Sequence, residues 1–192
     1  MSEDKASIRK RMRKLKKLLT DSQKNSAEQS VIKHIESLEE FAKAEKVLLY
    51  YSLPDELPTH EMAARWSKTK SIYLPRVAGD DLEILPYSAD SLASGSFSIS
   101  EPQKGDILNP HLLDLVIVPA VAFDRHGNRV GRGKGFYDRF LTGLNVTKIG
   151  ICYDFQIVDE IEASSQDIPV DMLVVAATGE KTIKDNLKIE IL

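Results

Sequence analysis

The stretch LVIVPA, residues 115–120, makes the fold of this chain readable. Leu115 to Val118 are apolar without interruption, so the run is too short for a helix and leaves no side for water. It reads as a strand buried on both faces. Outward from it, KVLLYY (46–51), SIYLP (71–75), KIGICY (148–153) and MLVVAA (172–177) have the same character. Helical spacing falls between them, near 59–69 and 136–143. This alternation predicts a mainly parallel α/β sheet with helices on both faces. In VAGDDLEILPY, Gly79-Asp80-Asp81 offers a turn between strands and predicts an antiparallel ribbon. Residues 88–110 read as a long connection, of the kind that often carries function.

Two helices are expected before the first strand. Ile8, Met12, Leu15, Leu18 and Leu19 recur every three or four residues and form one apolar stripe. Asp21 or Ser22 is placed to cap a second helix, with Ala27, Val31, Ile35 and Leu38 on its buried face up to about Phe41.

With 192 residues, the chain has length for one compact domain. Its residues are 42% hydrophobic, with charges of both signs interspersed, the composition of a globular protein. No apolar run approaches a membrane span. The start, MSEDKASIRKRMRKLKK, lacks the apolar centre of a secretory signal, so a cytoplasmic protein without membrane contact is expected, and a monomer. Cys152 is the only cysteine, which excludes an internal disulfide, and its apolar surroundings predict a buried packing residue. His34, His60, His111 and His126 show no metal-ligand spacing, so zinc is not expected.

The net charge of −3 argues against a protein that coats nucleic acid, yet its distribution is uneven. Lys5, Arg9, Lys10, Arg11, Arg13, Lys14, Lys16 and Lys17 follow one another with no acid between them.

GRGKGFYD, residues 131–138, carries the strongest chemical signal. Three glycines at alternate positions are entropically expensive to order, which suggests unusual dihedrals or close approach of a ligand to the main chain. Phosphate suits such a loop: backbone N–H groups donate, a following helix favours the anion, and Arg132 and Lys134 add full charges. Read alone, the stretch is either that or a glycine-rich turn bearing solvated cations. GxxxxGK[ST] is absent because Gly135 follows Lys134, and the spacing does not fit GxGxxG.

The longer segment FDRHGNRVGRGKGFYDRFL closely resembles the signature of 5-formyltetrahydrofolate cyclo-ligases. KASIR, YYSLPDELPT, IYLPRV and IPVDMLVV extend the resemblance over almost the whole chain. It implies a three-layer α/β/α fold and an enzyme that uses ATP and Mg2+ to convert 5-formyltetrahydrofolate into 5,10-methenyltetrahydrofolate, ADP and phosphate. By the same resemblance, Arg129, Gly131, Arg132, Gly133, Lys134, Gly135, Phe136 and Tyr137 line the ATP site. Arg132 and Lys134 lie nearest the phosphates, and residues 132–136 also face the folate. Lys5 and Arg9, spaced i and i+4, match the family's ATP-contacting pair. Lys10, Arg11, Arg13, Lys14, Lys16 and Lys17 read as solvated surface charges. Glu56 matches a glutamate that contacts the folate near its formyl group. Tyr51 and Phe97 are candidates for packing on its rings, and Asp138 and Asp171 match the magnesium ligands.

Two rivals stand beside this reading. A nucleic-acid binder would use the basic helix and the Arg/Lys loop, against repulsion from Glu56, Asp138 and Asp171. A sugar-phosphate or coenzyme A enzyme would need different substrates on a related sheet.

Overall fold

A computed structural model describes residues 3–94, 100–178 and 189–191. The helices are α1 (Lys5–Lys16), α2 (Asp21–Ser37), α3 (Glu39–Lys43), α4 (His60–Trp66) and α5 (Phe136–Leu141). The strands are β1 (Lys46–Leu48), β2 (Ser71–Ala78), β3 (Asp81–Pro86), β4 (Leu92–Ser94), β5 (Ser100–Pro102) and β6 (Leu115–Val118). They continue with β7 (Ala122–Asp124), β8 (Arg129–Val130), β9 (Thr147–Tyr153), β10 (Ile157–Val158), β11 (Met172–Ala176) and β12 (Ile189–Ile191).

Seven strands form the central sheet in the order β12-β11-β9-β6-β1-β2-β3. All neighbours are parallel except β2 and β3, whose hairpin pairs Ala78 with Asp81 across the turn that Gly79 and Asp80 were expected to make. Gly79 supplies the positive φ, 64°, that such a turn requires. Burial explains the parallel strands: β6 and β11 are buried at every position, so neither face is left to water.

Successive residues of each strand feed opposite layers. Val47, Leu115, Ile117, Ile149, Ile151 and Val174 meet α2, Phe41 and Trp66 on one face. Leu48, Val116, Val118, Cys152, Leu173 and Val175 meet Leu141 of α5 and Phe123 of a small sheet, β10-β7-β8, on the other. The second outer layer is therefore one short helix plus a three-stranded sheet. Gly150 permits that contact: a Cβ there would stand 2.6 Å from Phe123 Cζ.

Helix α1 packs on the small sheet, with Ile8 and Met12 fully buried against Val121, Ala122 and Val130. It ends earlier than its apolar stripe suggested. Leu18 is 76% exposed, while Lys16, one turn beyond Met12, takes the buried position. Thr20, rather than Asp21 or Ser22, caps α2, through a capping box with Gln23. Among the described residues, no helix is long and apolar enough to cross a membrane. The long connection contains the β4–β5 hairpin, and Phe97 lies outside the described residues.

Candidate active site

A cavity of about 570 Å³ opens beside the carboxyl ends of β1 and β6, where α/β sheets present ligands. Tyr50 and Tyr51 follow β1, Pro119 and Ala120 follow β6, and Pro75, Val77 and Leu82 supply an apolar wall from the β2–β3 hairpin.

The glycine loop forms another wall, and the preceding turn fixes it. Asp124, fully buried at the end of β7, accepts hydrogen bonds from the backbone N–H of His126, Asn128 and Ile161 and from Asn128 Nδ2. Gly127, at φ 82°, passes so close to the segment before β11 that a Cβ would lie 2.4 Å from Val170 O. Val170 N–H donates to Gly127 O at 3.0 Å, so the signature turn and residues 167–170 are docked to one another. Gly133, at φ 100°, and Gly135, at φ 69°, then bend the loop into α5. This helix has only six residues, so the anion-binding capacity rests on loop amides and cations rather than on a helix dipole.

Helix α1 brings two further cations to the cavity. Lys5 and Arg9 both line it, and Arg9 Nε donates to Gly131 O at 2.7 Å, tying the helix to the glycine loop. Tyr51, Leu53 and Glu56 belong to a cross-bonded turn on the far side of Arg132. Within it, Ser52 and Thr59 exchange hydrogen bonds, Thr59 Oγ1 donates to Tyr50 O, and Glu56 Oε2 accepts from Leu53 N–H. Tyr51 stacks on His60 at a centroid distance of 4.0 Å and faces Tyr87 at 6.5 Å, an aromatic edge suited to a flat ring.

The cavity's cations have internal partners. Lys5 Nζ lies 2.6 Å from Asp167, and the buried Arg129 lies 2.6 Å from Asp138. Arg132 bridges Asp55 at 2.6 Å and Glu56 at 2.9 Å, while Arg9 takes the Gly131 carbonyl. Burial pushes the Arg129 guanidinium down from its ordinary value, with Asp138 and Asp167 opposing the shift. Partial burial pulls Asp167 upward, but its bonds from Lys5 and Ser164 hold it below the usual carboxylate value. Arg129 Nε and Tyr137 Oη are buried without a hydrogen-bond partner among the described residues. Both residues line the cavity, so these two polar atoms lie buried in its wall.

The structure thus gathers Lys5, Arg9, Tyr51, Glu56, Arg129 and the loop from Gly131 to Asp138 around one cavity. It does not bring Asp171 there. That residue precedes β11, at the amino ends of the parallel strands, where it accepts from Lys148 N–H at 2.7 Å and pairs with Lys148 Nζ at 2.9 Å. The aspartate that joins Asp138 at the cavity is Asp167, four residues before Asp171. Asp138 also accepts from Ile168 N–H, which ties the two segments together. Among the described residues no cluster of three or more His, Cys, Asp or Glu could hold a metal alone. A pair of carboxylates suits magnesium, which usually keeps waters and binds through one or two carboxylates and substrate phosphates.

Sequence reasoning also missed Glu101, 4% exposed in the cavity wall, and Lys16 behind the Glu56 turn. Lys16 was legible: residues 5, 9, 12 and 16 fall on one helical stripe. Asp167 carries no such signal among the neighbouring acids Asp159, Glu160 and Glu162.

Fold and cavity define an α/β protein equipped to hold a polyanion beside a flat, partly apolar ring system. Residues 1–176 match the model of the 5-formyltetrahydrofolate cyclo-ligase family. The chain is 35% identical to a 5-formyltetrahydrofolate cyclo-ligase of Haemophilus influenzae, the alignment covering 87% of this chain and 95% of that one. A cyclo-ligase of Escherichia coli K12 is 30% identical, over 85% and 95% of the two chains. The solved 5,10-methenyltetrahydrofolate synthetase of Aquifex aeolicus superposes with a TM-score of 0.82 at 32% identity, covering 94% of this chain and 96% of that one. The chain belongs to the 5-formyltetrahydrofolate cyclo-ligase family.

Proposed function

We propose that this protein catalyses the ATP- and magnesium-dependent closure of 5-formyltetrahydrofolate to 5,10-methenyltetrahydrofolate, with release of ADP and phosphate. The observation carrying this reading is Arg132. One guanidinium bridges a glycine loop rich in cations and a turn that pairs an aromatic edge with a carboxylate, so two reactants fit side by side in one cavity.

Lys5, Arg9, Arg129, Arg132 and Lys134, with the amides of residues 131–137, hold the triphosphate. Glu56 and Tyr51 orient the folate, its formyl oxygen toward Arg132 and Lys134. The terminal phosphoryl group passes to that oxygen. The N10 lone pair then forms a bond to the formyl carbon, the N10 proton passes to solvent or to the phosphate, and the carbon–oxygen bond breaks with departure of phosphate. Fixed cations and amides act where charge develops in both steps, and Glu56 stabilises the iminium cation. Asp138 and Asp167 are the residues that would hold magnesium, which supplies charge neutralisation at the phosphates. No step requires a nucleophilic side chain, and Cys152 is buried with its thiol pushed up by that burial. The protein is further proposed to act as a monomer on small molecules in the cytoplasm.

The test mixes purified protein, Mg-ATP and 5-formyltetrahydrofolate and follows the near-ultraviolet absorbance of the methenyl product together with ADP. Equal appearance of both is expected, and silence in both from folded protein refutes the reading. Lys134→Met should raise the KM for ATP, and Glu56→Gln should mainly reduce folate turnover.

A further inference from the structure

Lys16 is a buried cation that the chemistry above does not use. Its side chain is 3% exposed, at the end of α1, and its ammonium lies 4.0 Å from Asp55 Oδ2. The other oxygen of the same carboxylate, Oδ1, accepts from Arg132 at 2.6 Å. Arg132 also takes Glu56 Oε1 at 2.9 Å, so two acids of one turn face two cations from different elements. Lys24 also reaches this turn, but donates to the Pro54 carbonyl rather than to a carboxylate.

The two cations differ in freedom. Arg132 sits on the glycine loop with a side chain 45% exposed, whereas Lys16 is buried at the end of α1. Arg132 faces a conflict if the loop holds nucleotide phosphates, because its guanidinium already serves Asp55 and Glu56. Once it turns to phosphate, the turn loses its closest positive partner, and two adjacent carboxylates repel one another and the polyanion. Lys16 is the cation that stays.

We infer that Lys16 is a positioning residue that holds the Asp55–Glu56 turn in its folate-binding form when Arg132 is drawn to the nucleotide. The inference rests on the proposed function and deepens it: Lys16 couples the two subsites without touching either ligand. Its energetics fit such a role. Burial lowers the Lys16 pKa, Asp55 and Glu56 only partly oppose this, and Arg132 adds to it. A folded-state pKa below the unfolded value means that folding disfavours the charged form of this lysine, so burial of the ammonium works against the fold rather than for it.

The experiment measures binding of 5-formyltetrahydrofolate by calorimetry, with and without a non-hydrolysable ATP analogue and magnesium, for wild type, Lys16→Met and Lys16→Arg. Without nucleotide, Lys16→Met should bind folate as wild type does, because Arg132 still holds the turn. With the analogue present, its folate Kd should rise about tenfold, a coupling of ordinary allosteric size, and Lys16→Arg should restore it. Analogue binding by Lys16→Met itself serves as the check on folding. An effect equal in both conditions marks Lys16 as merely structural and overturns the inference, as does no effect in either. Wild-type protein that binds neither ligand instead overturns the proposed function, and this inference with it.

Discussion

Gly150→Ala tests how the back of the sheet supports the cavity. A Cβ at this position would lie 2.6 and 2.7 Å from Cζ and Cε1 of Phe123 and 2.8 Å from Cδ2 of Leu173. Carbon contacts this short cannot persist, and Phe123 and Leu173 are both fully buried, so neither ring nor methyl has open space to enter. Gly150 has no left-handed φ, so the added strain is one of packing and not of backbone conformation. Overpacking of this kind costs about 1–3 kcal/mol. In a chain of this size each kcal/mol shifts Tm by about 2–4 °C, so a mid-range penalty of about 2 kcal/mol predicts a fall of about 4–8 °C. Calorimetric unfolding of Gly150→Ala, Phe123→Leu and the double variant supplies a mutant cycle. The smaller leucine side chain in place of the ring should accommodate the new methyl, so the double variant should melt above the sum of the single effects, with a coupling of at least about 0.5 kcal/mol. Phe123 belongs to the small sheet that carries Arg129 and supports α1, so ATP affinity should fall with Tm and recover in the double variant. An unchanged Tm for Gly150→Ala, or strict additivity, refutes the argument.

Asp138→Asn and Asp167→Asn should each raise the magnesium concentration needed for half-maximal turnover, whereas Asp171→Asn should lower Tm through loss of its ion pair with Lys148 and leave the magnesium dependence in place. The Lys5–Asp167 pair predicts an acid limb in stability. Because the folded pKa of Asp167 lies below its ordinary 3.8, its contribution is complete above that value and is lost as pH falls through the folded value. The stability difference between wild type and Asp167→Asn, followed by thermal melts, should therefore be constant near neutrality and shrink below about pH 4. Cys152 should resist alkylation in the folded protein and react only after denaturation, as a free-thiol assay would show, because its thiol is buried and its pKa raised.

The parallel core was legible because β6, β9 and β11 are buried on both faces, which leaves unbroken apolar runs in the sequence. The glycine loop was legible because its backbone demands, positive φ at Gly133 and Gly135, select one residue type. Helix α1 was half legible. Its 3.6-residue period gave the buried face, but hydrophobicity alone assigned Leu18 inward and Lys16 outward: Lys16 continues the buried stripe of Ile8 and Met12, and the helix ends at residue 17 before Leu18 can join it. The second aspartate at the cavity was not legible. Asp167 reaches it through long-range contacts, Val170 N–H to Gly127 O and Ile168 N–H to Asp138, whose partners lie far away in the chain. Asp171 was the more visible acid because it abuts a strand, yet that position fixes it at the amino end of β11, away from the cavity.

The internal partners of the cavity's cations decide how binding must proceed. Lys5, Arg129 and Arg132 are held by Asp167, Asp138 and the Asp55–Glu56 pair, so a bare polyanion would have to break three sets of ion pairs and leave carboxylates facing it. A polyanion that arrives with a divalent cation does not. Asp138 and Asp167 would hold that cation, which would supply the positive charge they lose as Lys5 and Arg129 turn to phosphate. Arg132 has no such exchange partner in the metal, which is why a second, immobile cation behind its carboxylates matters. Nucleotide should therefore bind far more weakly without magnesium than its loss of charge screening alone would give.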